Sequence, residues 1–304
     1  MKLVCFGLPL APLLLLEDGH EILLSVLSPG RAVGGRRLRR RLGPEALLTA
    51  DRADDARIAR ALGSADLLVS WFWTRRLPRA WLELPARGAL GVHPSLLPRH
   101  RGPNPYFWTI DSGDEEAGVS AHWLTEEYDE GSVLLQERIA LGDHDSWQLA
   151  RALDRPSLRV LRRVVRQVGA NQVVPSPQDE ARATWAPEPE GELLRVDFGW
   201  PTARVLRRIR ALSPVPGLAI EFRGLRFFVT RARPAVRFPD FLLPGEGTVV
   251  RGDRVLGTGE QRHGTLVVRT GDGAVAVERA VLTPESGGSE EGEVDEGELA
   301  GLVG

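Results

Sequence analysis

Two ionisable residues carry most of the chemistry that this sequence offers. His93 ends an apolar segment and precedes Pro-Ser-Leu-Leu-Pro and Arg-Gly-Pro-Asn-Pro. These two stretches together predict an ordered loop. Asp129 lies in the later turn Glu-Glu-Tyr-Asp-Glu-Gly. A histidine exchanges protons near neutral pH, and a neighbouring carboxylate raises its pKa and fixes its tautomer. If the two side chains converge, they suit acyl-type transfer to an amine.

Each of the two residues also has an ordinary structural interpretation. A single histidine before Pro-Ser is more often structural than catalytic, and an aspartate close to a glycine is common turn chemistry. The sequence contains no G-x-G-x-x-G after a strand, no P-loop and no G-x-S-x-G. Its six histidines are scattered without the spacing of metal ligands, so no metal is predicted.

The elements that would position His93 alternate between apolar strands and helices, which is typical of an α/β fold. Continuous apolar strands of this kind favour a mostly parallel sheet covered by helices on both faces, with ligands at the carboxyl ends of the strands. His93 falls at such an end. The predicted strands are Leu3–Gly7, Glu21–Ser28, Asp66–Trp73, Gly88–His93, Val119–Thr125 and Ser132–Ile139, and the predicted helices are Leu10–Asp18, Ala53–Leu62, Pro78–Leu84, Pro105–Asp111 and Ser146–Val168.

The second half of the chain differs in composition. Residues 172–193 are polar and rich in proline, as in a linker between domains. A helix over Pro201–Leu212 is followed by many short β segments with glycine turns, which indicates a small barrel-like domain. We therefore predict a catalytic domain at 1–171, a linker at 172–193, a small β domain at 194–285 and an acidic tail at 286–304.

The overall composition is that of a globular protein. The chain has 304 residues, 42% of them hydrophobic, a net charge of −2 and a single cysteine, which excludes an internal disulfide. The first residues lack the pattern of a signal peptide, and no apolar run reaches the length of a membrane span. We expect a cytoplasmic protein without a membrane partner; the oligomeric state is left open.

The pattern around the two ionisable residues resembles the folate-dependent formyltransferase family. That family carries His-Pro-Ser-Leu-Leu-Pro, then an Arg-Gly-x-x-Pro element and later an Asp-x-Gly turn, which match residues 93–98, 101–105 and 129–131. The segments Pro177–Pro187 and Ile209–Phe222 resemble the linker and second domain of the members that formylate methionyl-tRNA. The resemblance implies a Rossmann-like catalytic domain followed by an OB-like β-barrel domain, and 10-formyltetrahydrofolate as the formyl donor.

The resemblance also implies roles for individual residues. His93 matches the catalytic histidine and Asp129 the catalytic aspartate of the family. The formyl-folate site is built in the family from the loop after the third strand and the loop around the aspartate. Phe72 and Trp73 could equally be core aromatics. The implied folate-binding residues are Phe72, Trp73, Thr74, Arg75, Arg76, Ser95, Leu96, Leu97, Leu124, Glu126, Glu127 and Tyr128.

One position departs from the family pattern. The family places an asparagine two residues before the histidine, where its amide supports the developing oxyanion, whereas this chain has Gly91. Losing one such donor typically costs about 3–4 kcal/mol of transition-state stabilisation. A backbone N–H, a water molecule or the side chain of Asn104 could take its place. Otherwise the chain is a catalytically impaired member that binds folate or RNA. A separate alternative, which keeps the roles of His93 and Asp129, is a formyltransferase that acts on a small amine such as an amino sugar.

A cluster of arginines follows the second predicted strand, in the segment Ser28–Arg41, which contains no acidic residue. In members that act on methionyl-tRNA, a basic loop at this place contacts the acceptor arm of the tRNA. A run of arginines is more often a solvated surface. A cluster of positive charge of this kind is, however, also what binding to phosphates requires. The candidate tRNA-binding residues are Arg31, Arg36, Arg37, Arg39, Arg40 and Arg41.

Overall fold

The computed structural model describes residues 1–30, 32–49, 55–251, 264–282 and 292–295. The chain divides into two compact units. The first contains Met1–Pro105, Glu116–Ala140 and Ala150–Pro187. The second contains Tyr106–Glu115, Leu141–Leu149 and the described residues from Glu188 onward. The domain boundaries proposed from the sequence stay predictions.

The first unit is built on a seven-stranded sheet. Its strands lie in the order β3-β2-β1-β4-β5-β6-β7. The first five strands along the chain are parallel to one another where they pair, whereas β6 pairs antiparallel with both β5 and β7. The strands are β1 (Lys2–Gly7), β2 (Glu21–Leu27), β3 (Leu47–Thr49), β4 (Leu67–Trp71), β5 (Ala89–His93), β6 (Glu116–Trp123) and β7 (Val133–Ala140).

The strand order reverses between β1 and β4, because the chain first builds outward to β3 and then returns to the other side of β1. In open sheets of this kind, ligands bind beside the carboxyl ends of the strands near the reversal. His93 is the last residue of β5 and therefore lies at that edge. The α/β fold class expected from the sequence is confirmed.

Helices cover the first sheet, and their apolar side chains form its core. A cluster under α3 includes Phe6, Val26, Ile58, Leu62 and Leu68, all buried. Burying a side chain of this size contributes about 1.5–3 kcal/mol. The helices among the described residues of both units are α1 (Leu10–Glu17), α2 (Gly35–Leu42), α3 (Asp55–Gly63), α4 (Arg79–Leu82), α5 (Pro105–Asp111), α6 (Ser146–Gly169) and α7 (Thr202–Ala211).

Two local elements differ from the sequence-based prediction. The arginine-rich segment is a loop in that prediction, but Gly35–Leu42 forms α2. Arginine and leucine are good helix formers. Leu38 is fully buried and anchors the helix, while its arginine side chains are exposed. The short strand β3 is absent from the prediction, because its three residues are too few for a periodic pattern.

The second unit contains a six-stranded antiparallel sheet, in which five strands lie in the order β10-β11-β12-β9-β8 and the sixth, β13, pairs with β12. The helix α7 packs against β9. The buried guanidinium of Arg208 donates to both carboxylate oxygens of Asp111, at 2.6 and 2.8 Å. The strands are β8 (Leu218–Phe222), β9 (Leu225–Pro234), β10 (Gly247–Arg251), β11 (Gly264–Arg269), β12 (Ala274–Leu282) and β13 (Gly292–Asp295).

Within the described part of the chain, none of the helices has the length and apolar character needed to cross a membrane.

Candidate active site

The imidazole of His93 is fixed at the end of β5 by contacts on both of its nitrogens. Nε2 donates to the backbone carbonyl of His100 at 2.7 Å. Nδ1 lies 3.4 Å from Oδ2 of Asp129. Only 7% of the residue is exposed, so the ring is held between two acceptor oxygens in a largely dry environment. The convergence that the sequence analysis required between His93 and Asp129 is present.

The carboxylate of Asp129 is held by a turn with unusual backbone geometry. Asp129 has a φ of 59°, in the left-handed region that aspartate tolerates better than most residues. A Cβ on Gly131 would lie 1.9 Å from the carbonyl oxygen of Trp123, so only glycine fits there. The backbone N–H of Gly102 donates to Oδ2 of Asp129 at 2.9 Å. The Asp-x-Gly spacing and the Arg-Gly element are therefore parts of one arrangement.

The electrostatics of the pair favour an ionised aspartate beside a neutral imidazole. Burial acts to raise the pKa of Asp129, but the attraction of His93 and the hydrogen bonds from His122 and Gly102 outweigh it, so this pKa lies well below its usual value. Burial lowers the pKa of His93, and the charge of Asp129 offsets this only in part. The neutral ring carries its one proton on Nε2, which donates to His100, so Nδ1 beside Asp129 is the nitrogen that is able to accept a proton.

A second imidazole contacts Asp129 from the other side, and sequence reasoning missed it. Nε2 of His122 lies 3.4 Å from Oδ1 of Asp129, and its Nδ1 lies 2.9 Å from the carbonyl oxygen of Trp123. His122 is 1% exposed and pairs directly across from Gly91. The sequence nevertheless held a signal for His122. If the predicted strand Val119–Thr125 pairs with the strand that ends at His93, alternate residues of the two strands lie on the same face of the sheet.

The segment predicted as a linker supplies further support for the Asp129 turn. Nε2 of Gln178 donates to the carbonyls of Asp129 and Gly131, at 2.6 and 2.7 Å. Its Oε1 accepts from Nε and Nη2 of Arg101 at 3.1 and 2.9 Å. Arg101 is buried and also donates to both carboxylate oxygens of Glu180. This network was not identified from sequence, because nothing local indicates which distant turn a glutamine will reach.

The same segment also pairs with the loop after β5 through the backbone. The N–H of Arg101 donates to the carbonyl of Thr184 at 2.9 Å, and the N–H of Ala186 donates to the carbonyl of Arg101 at 2.7 Å. The N–H of Asn104 donates to the carbonyl of Ala186 at 3.0 Å. The atoms nearest to the side-chain position of Gly91 belong to Leu124 and His122. That Asn104 acts as a donor in catalysis stays a prediction.

Arg76 brings together two of the loops that were predicted to bind folate. Its Nη2 donates to the carbonyl of Glu126 at 2.7 Å and lies 2.9 Å from the carboxylate of Glu127. Its guanidinium carbon is 5.4 Å from the centre of the Tyr128 ring. Thr74 and Arg75 of the same loop are exposed. The loop after β4 and the turn before Asp129 therefore form one continuous surface.

A cavity of about 510 Å³ lies beside this surface. Its walls combine apolar side chains, including Leu82 and Leu124, with polar groups from Arg79, Thr125 and Glu126. Leu124 also covers Gly91, because an ideal Cβ there would lie 2.8 Å from its Cδ2. Of the residues predicted to bind folate, Leu124 and Glu126 line this cavity.

Other residues of the predicted folate site have contacts that hold the fold. The Trp73 ring packs edge-on against Phe6, with centroids 5.2 Å apart, and Phe72 packs against Trp71. The Oγ of Ser95 donates to the carbonyl of Arg99 at 2.7 Å.

The loop that contains Leu96 and Leu97 is tied to β6. The N–H of Leu97 donates to Oγ of Ser120 at 3.1 Å, and a methyl group of Leu96 packs over Gly118. Folate contacts by these loop residues stay predictions.

The arginines proposed to contact RNA form an exposed surface on α2. Arg36, Arg37, Arg39, Arg40 and Arg41 are all exposed. Arg37 pairs with Glu17 at 2.8 Å. Arg31, which was predicted with them, lies outside the described residues.

Comparison with known proteins places this arrangement in a family. The family described as "Formyl transferase" matches residues 40–165, and the one described as "Formyl transferase, C-terminal domain" matches residues 190–285. The chain belongs to the formyltransferase family. The resemblance noted in the sequence is confirmed, and so is the enzyme class that it implied, a folate-dependent formyltransferase.

Curated relatives of this formyltransferase match it over most of their length. It is 35% identical to the methionyl-tRNA formyltransferase of Anaeromyxobacter dehalogenans, over 77% of this chain and 79% of the relative. It is 32% identical to the methionyl-tRNA formyltransferase of Thiobacillus denitrificans, over 79% of this chain and 80% of the relative.

Solved structures of other proteins share the fold. HypX from Aquifex aeolicus in complex with tetrahydrofolic acid superposes with a TM-score of 0.65 at 22% identity, over 99% of this chain. This chain spans 47% of the length of HypX. An N-formyltransferase from Helicobacter canadensis, in complex with folinic acid and dTDP-3-aminofucose, superposes with a TM-score of 0.64 at 12% identity, over 91% of this formyltransferase and 98% of that chain. At such identities the likeness shows the fold alone.

Proposed function

We propose that this formyltransferase moves the formyl group of 10-formyltetrahydrofolate to the α-amine of methionyl-tRNA. The amine nitrogen forms a bond to the formyl carbon, and the bond from that carbon to the folate nitrogen breaks. The proton that the amine loses balances the proton that the folate nitrogen gains. The supporting observation is the buried His93–Asp129 contact in a chain that is similar to methionyl-tRNA formyltransferases over 77% of its length.

His93 is the residue proposed to act on the reacting atoms. Its ring is neutral at neutral pH because burial lowers its pKa, so it is able to take the proton that the amine releases. The ionised Asp129, 3.4 Å away, then stabilises the imidazolium that forms. General acid–base catalysis of this type contributes about 10²–10⁴-fold to the rate.

The cavity beside Leu124 suits the formyl donor. A volume of about 510 Å³ falls within the usual range for small-molecule sites, and its lining combines apolar side chains with a few polar groups. Leu82, Leu124 and Ala89 would pack against a flat heterocycle, and Thr125 and Glu126 would offer hydrogen-bonding groups. When bound there, the donor supplies an activated formyl carbon.

The proposal also specifies which molecule accepts the formyl group. An exposed helix with five arginines, of which Arg37 pairs with Glu17, presents positive charge that suits the phosphates of an RNA acceptor. A small amine would not need this helix. The expected partner is therefore the acceptor arm of a charged tRNA.

A turnover assay with 10-formyltetrahydrofolate and a panel of acceptors tests the proposal. The panel contains methionyl-tRNA, free methionine and a nucleotide-linked amino sugar. We expect transfer to methionyl-tRNA, with a rate that falls steeply as salt rises because phosphate contacts are screened. His93→Ala should abolish transfer, and His144→Ala serves as the control. Transfer to the amino sugar in preference to the tRNA, with little salt dependence, would refute the assignment of the acceptor.

A further inference from the structure

Gly91 and His122 form a cross-strand pair on the face of the sheet that carries His93. Gly91 of β5 pairs with His122 of β6, and two residues along, His93 pairs with Ser120. Residues directly opposite each other on paired strands project from the same face. All four positions therefore belong to one patch at the carboxyl end of β5.

The absence of a side chain at Gly91 creates the space that the His122 ring occupies. An ideal Cβ on Gly91 would lie 2.8 Å from Cδ2 of Leu124 and 3.2 Å from Nε2 of His122, which is tighter than about nine in ten real Cβ contacts. A side chain at this position would require Leu124 to shift and the imidazole to move by a few tenths of an ångström. Glycine inside a strand is unfavourable by itself, and a close approach by another group is a common reason for its presence.

From this space, His122 reaches the carboxylate that serves His93. Its Nε2 is 3.4 Å from Oδ1 of Asp129, while Nδ1 of His93 is 3.4 Å from Oδ2. The carboxylate is thus held between two imidazoles, one on each oxygen. The far side of the His122 ring is anchored by the carbonyl of Trp123, 2.9 Å from Nδ1.

We infer that His122 is a positioning residue for formyl transfer: it holds the Asp129 carboxylate in the orientation that serves His93, from the space that Gly91 leaves open. The inference rests on the proposed roles of His93 and Asp129. It also accounts for a glycine at position 91, since the glycine and the histidine depend on each other.

Other charged groups face the same cluster and must be considered in any pH measurement. His100 follows His93 in the loop after β5 and lies close enough for its charge to act on the pKa of His93, which it lowers. Arg101 pairs with Glu180 at 2.7 Å and approaches Glu130 at 3.7 Å. None of these groups occupies the space beside Gly91, so replacing His122 leaves them in place.

The test compares His122→Gln and His122→Leu with the wild type, using 10-formyltetrahydrofolate and the acceptor that the wild type accepts best. Glutamine keeps a donor of similar reach, whereas leucine keeps only volume. We expect kcat to fall by about 10-fold for H122Q and by about 100-fold or more for H122L, with KM for both substrates changed by less than about 3-fold. His144→Gln is the control for replacing a histidine elsewhere.

The pH dependence separates positioning from packing. The charge of His122 acts to lower the pKa of His93. Removing it should therefore move the acid limb of kcat/KM to higher pH in both variants. The upward shift should be smaller in H122L than in H122Q, because Asp129, whose charge raises the pKa of His93, is no longer held beside it in H122L; equal shifts would indicate packing alone. Normal melting temperatures establish that the variants fold.

The same variants supply a readout that does not need turnover. The NMR signals of labelled histidines should show the His93 resonance titrating at higher pH in H122Q than in the wild type. Wild-type protein without formyl transfer to any acceptor would refute the proposed function. An active wild type, with kcat and the acid limb unchanged in H122L, would refute the role of His122 alone.

The complementary variant is Gly91→Ala, which places a Cβ against His122 and Leu124. We expect kcat to fall in G91A by about 10-fold or more. Gly63→Ala, at a glycine with open space around its Cβ position and no left-handed backbone, is the control for adding a methyl group. A fully active G91A would contradict the coupling between the two positions.

Discussion

Gln178 donates a hydrogen bond of 2.6 Å to the backbone carbonyl of Asp129. The two residues are 49 positions apart in the sequence. The same amide group donates to the carbonyl of Gly131, so one side chain spans the turn that presents the Asp129 carboxylate. Because Asp129 has a positive φ, its conformation depends on contacts of this kind from its surroundings.

Replacing Gln178 by leucine should reduce activity without unfolding the protein. The variant loses two hydrogen bonds to the turn, each contributing about 1 kcal/mol, so we expect kcat/KM to fall about 30-fold. Steady-state kinetics measures this loss. Gln172→Leu, at an exposed glutamine of the same segment, is the control. Equal kcat/KM in the two variants would mean that the turn holds its geometry without Gln178.

Replacing Asp129 by asparagine should lower the pKa of His93. Burial already lowers this pKa, and the negative charge of Asp129 opposes that effect. Removing the charge leaves burial unopposed, so the titration of His93 moves further toward acidic pH. NMR titration of the histidine signals measures the change directly.

The matched control for this variant is Glu130→Gln, which removes a charge from the neighbouring, exposed residue. It should leave the His93 titration unaltered.

We expect D129N to lose about 10²–10⁴-fold in kcat because the imidazolium that forms on His93 is no longer stabilised. An unmoved or raised His93 pKa in D129N would show that the carboxylate does not govern this imidazole.

The parts of the molecule that sequence could predict are those that depend on local pattern. Continuous apolar segments such as Leu67–Trp71 identified the parallel strands, and the turn chemistry around His93 identified its loop. The pairing of His93 with Asp129 followed from the resemblance to a family. Their separation of 3.4 Å is a property of the folded chain.

The contacts that escaped prediction join residues distant in the sequence. His122 became part of the site through its register against Gly91, and a shift of one residue would have turned it to the other face. Gln178 and Arg101 meet because a proline-rich segment, which resembled a linker, pairs with the loop after β5. Sequence composition carries no information about such pairing.

Filling the cavity beside Leu124 should weaken donor binding. Thr125 is exposed at its wall, so Thr125→Trp adds a large side chain there without disturbing the core. We expect KM for 10-formyltetrahydrofolate to rise about 10-fold or more, while KM for the acceptor changes little. Thr125→Val, which replaces the hydroxyl by a methyl group of similar size, separates the loss of a polar contact from the filling of the cavity. An unchanged donor KM in T125W would place the folate site elsewhere.

Neutralising arginines on α2 should weaken only the reaction with tRNA. Arg39→Gln with Arg40→Gln removes two exposed charges, while the buried Leu38 keeps the helix anchored. The slope of log(kcat/KM) against log(salt) should decrease by about 0.7–0.9 for each phosphate that the variant no longer neutralises. Arg155→Gln with Arg163→Gln, which neutralises two exposed arginines of α6, is the matched control. Equal salt slopes for the two double variants would show that α2 does not contact the RNA, and the arginines would then be a solvated surface.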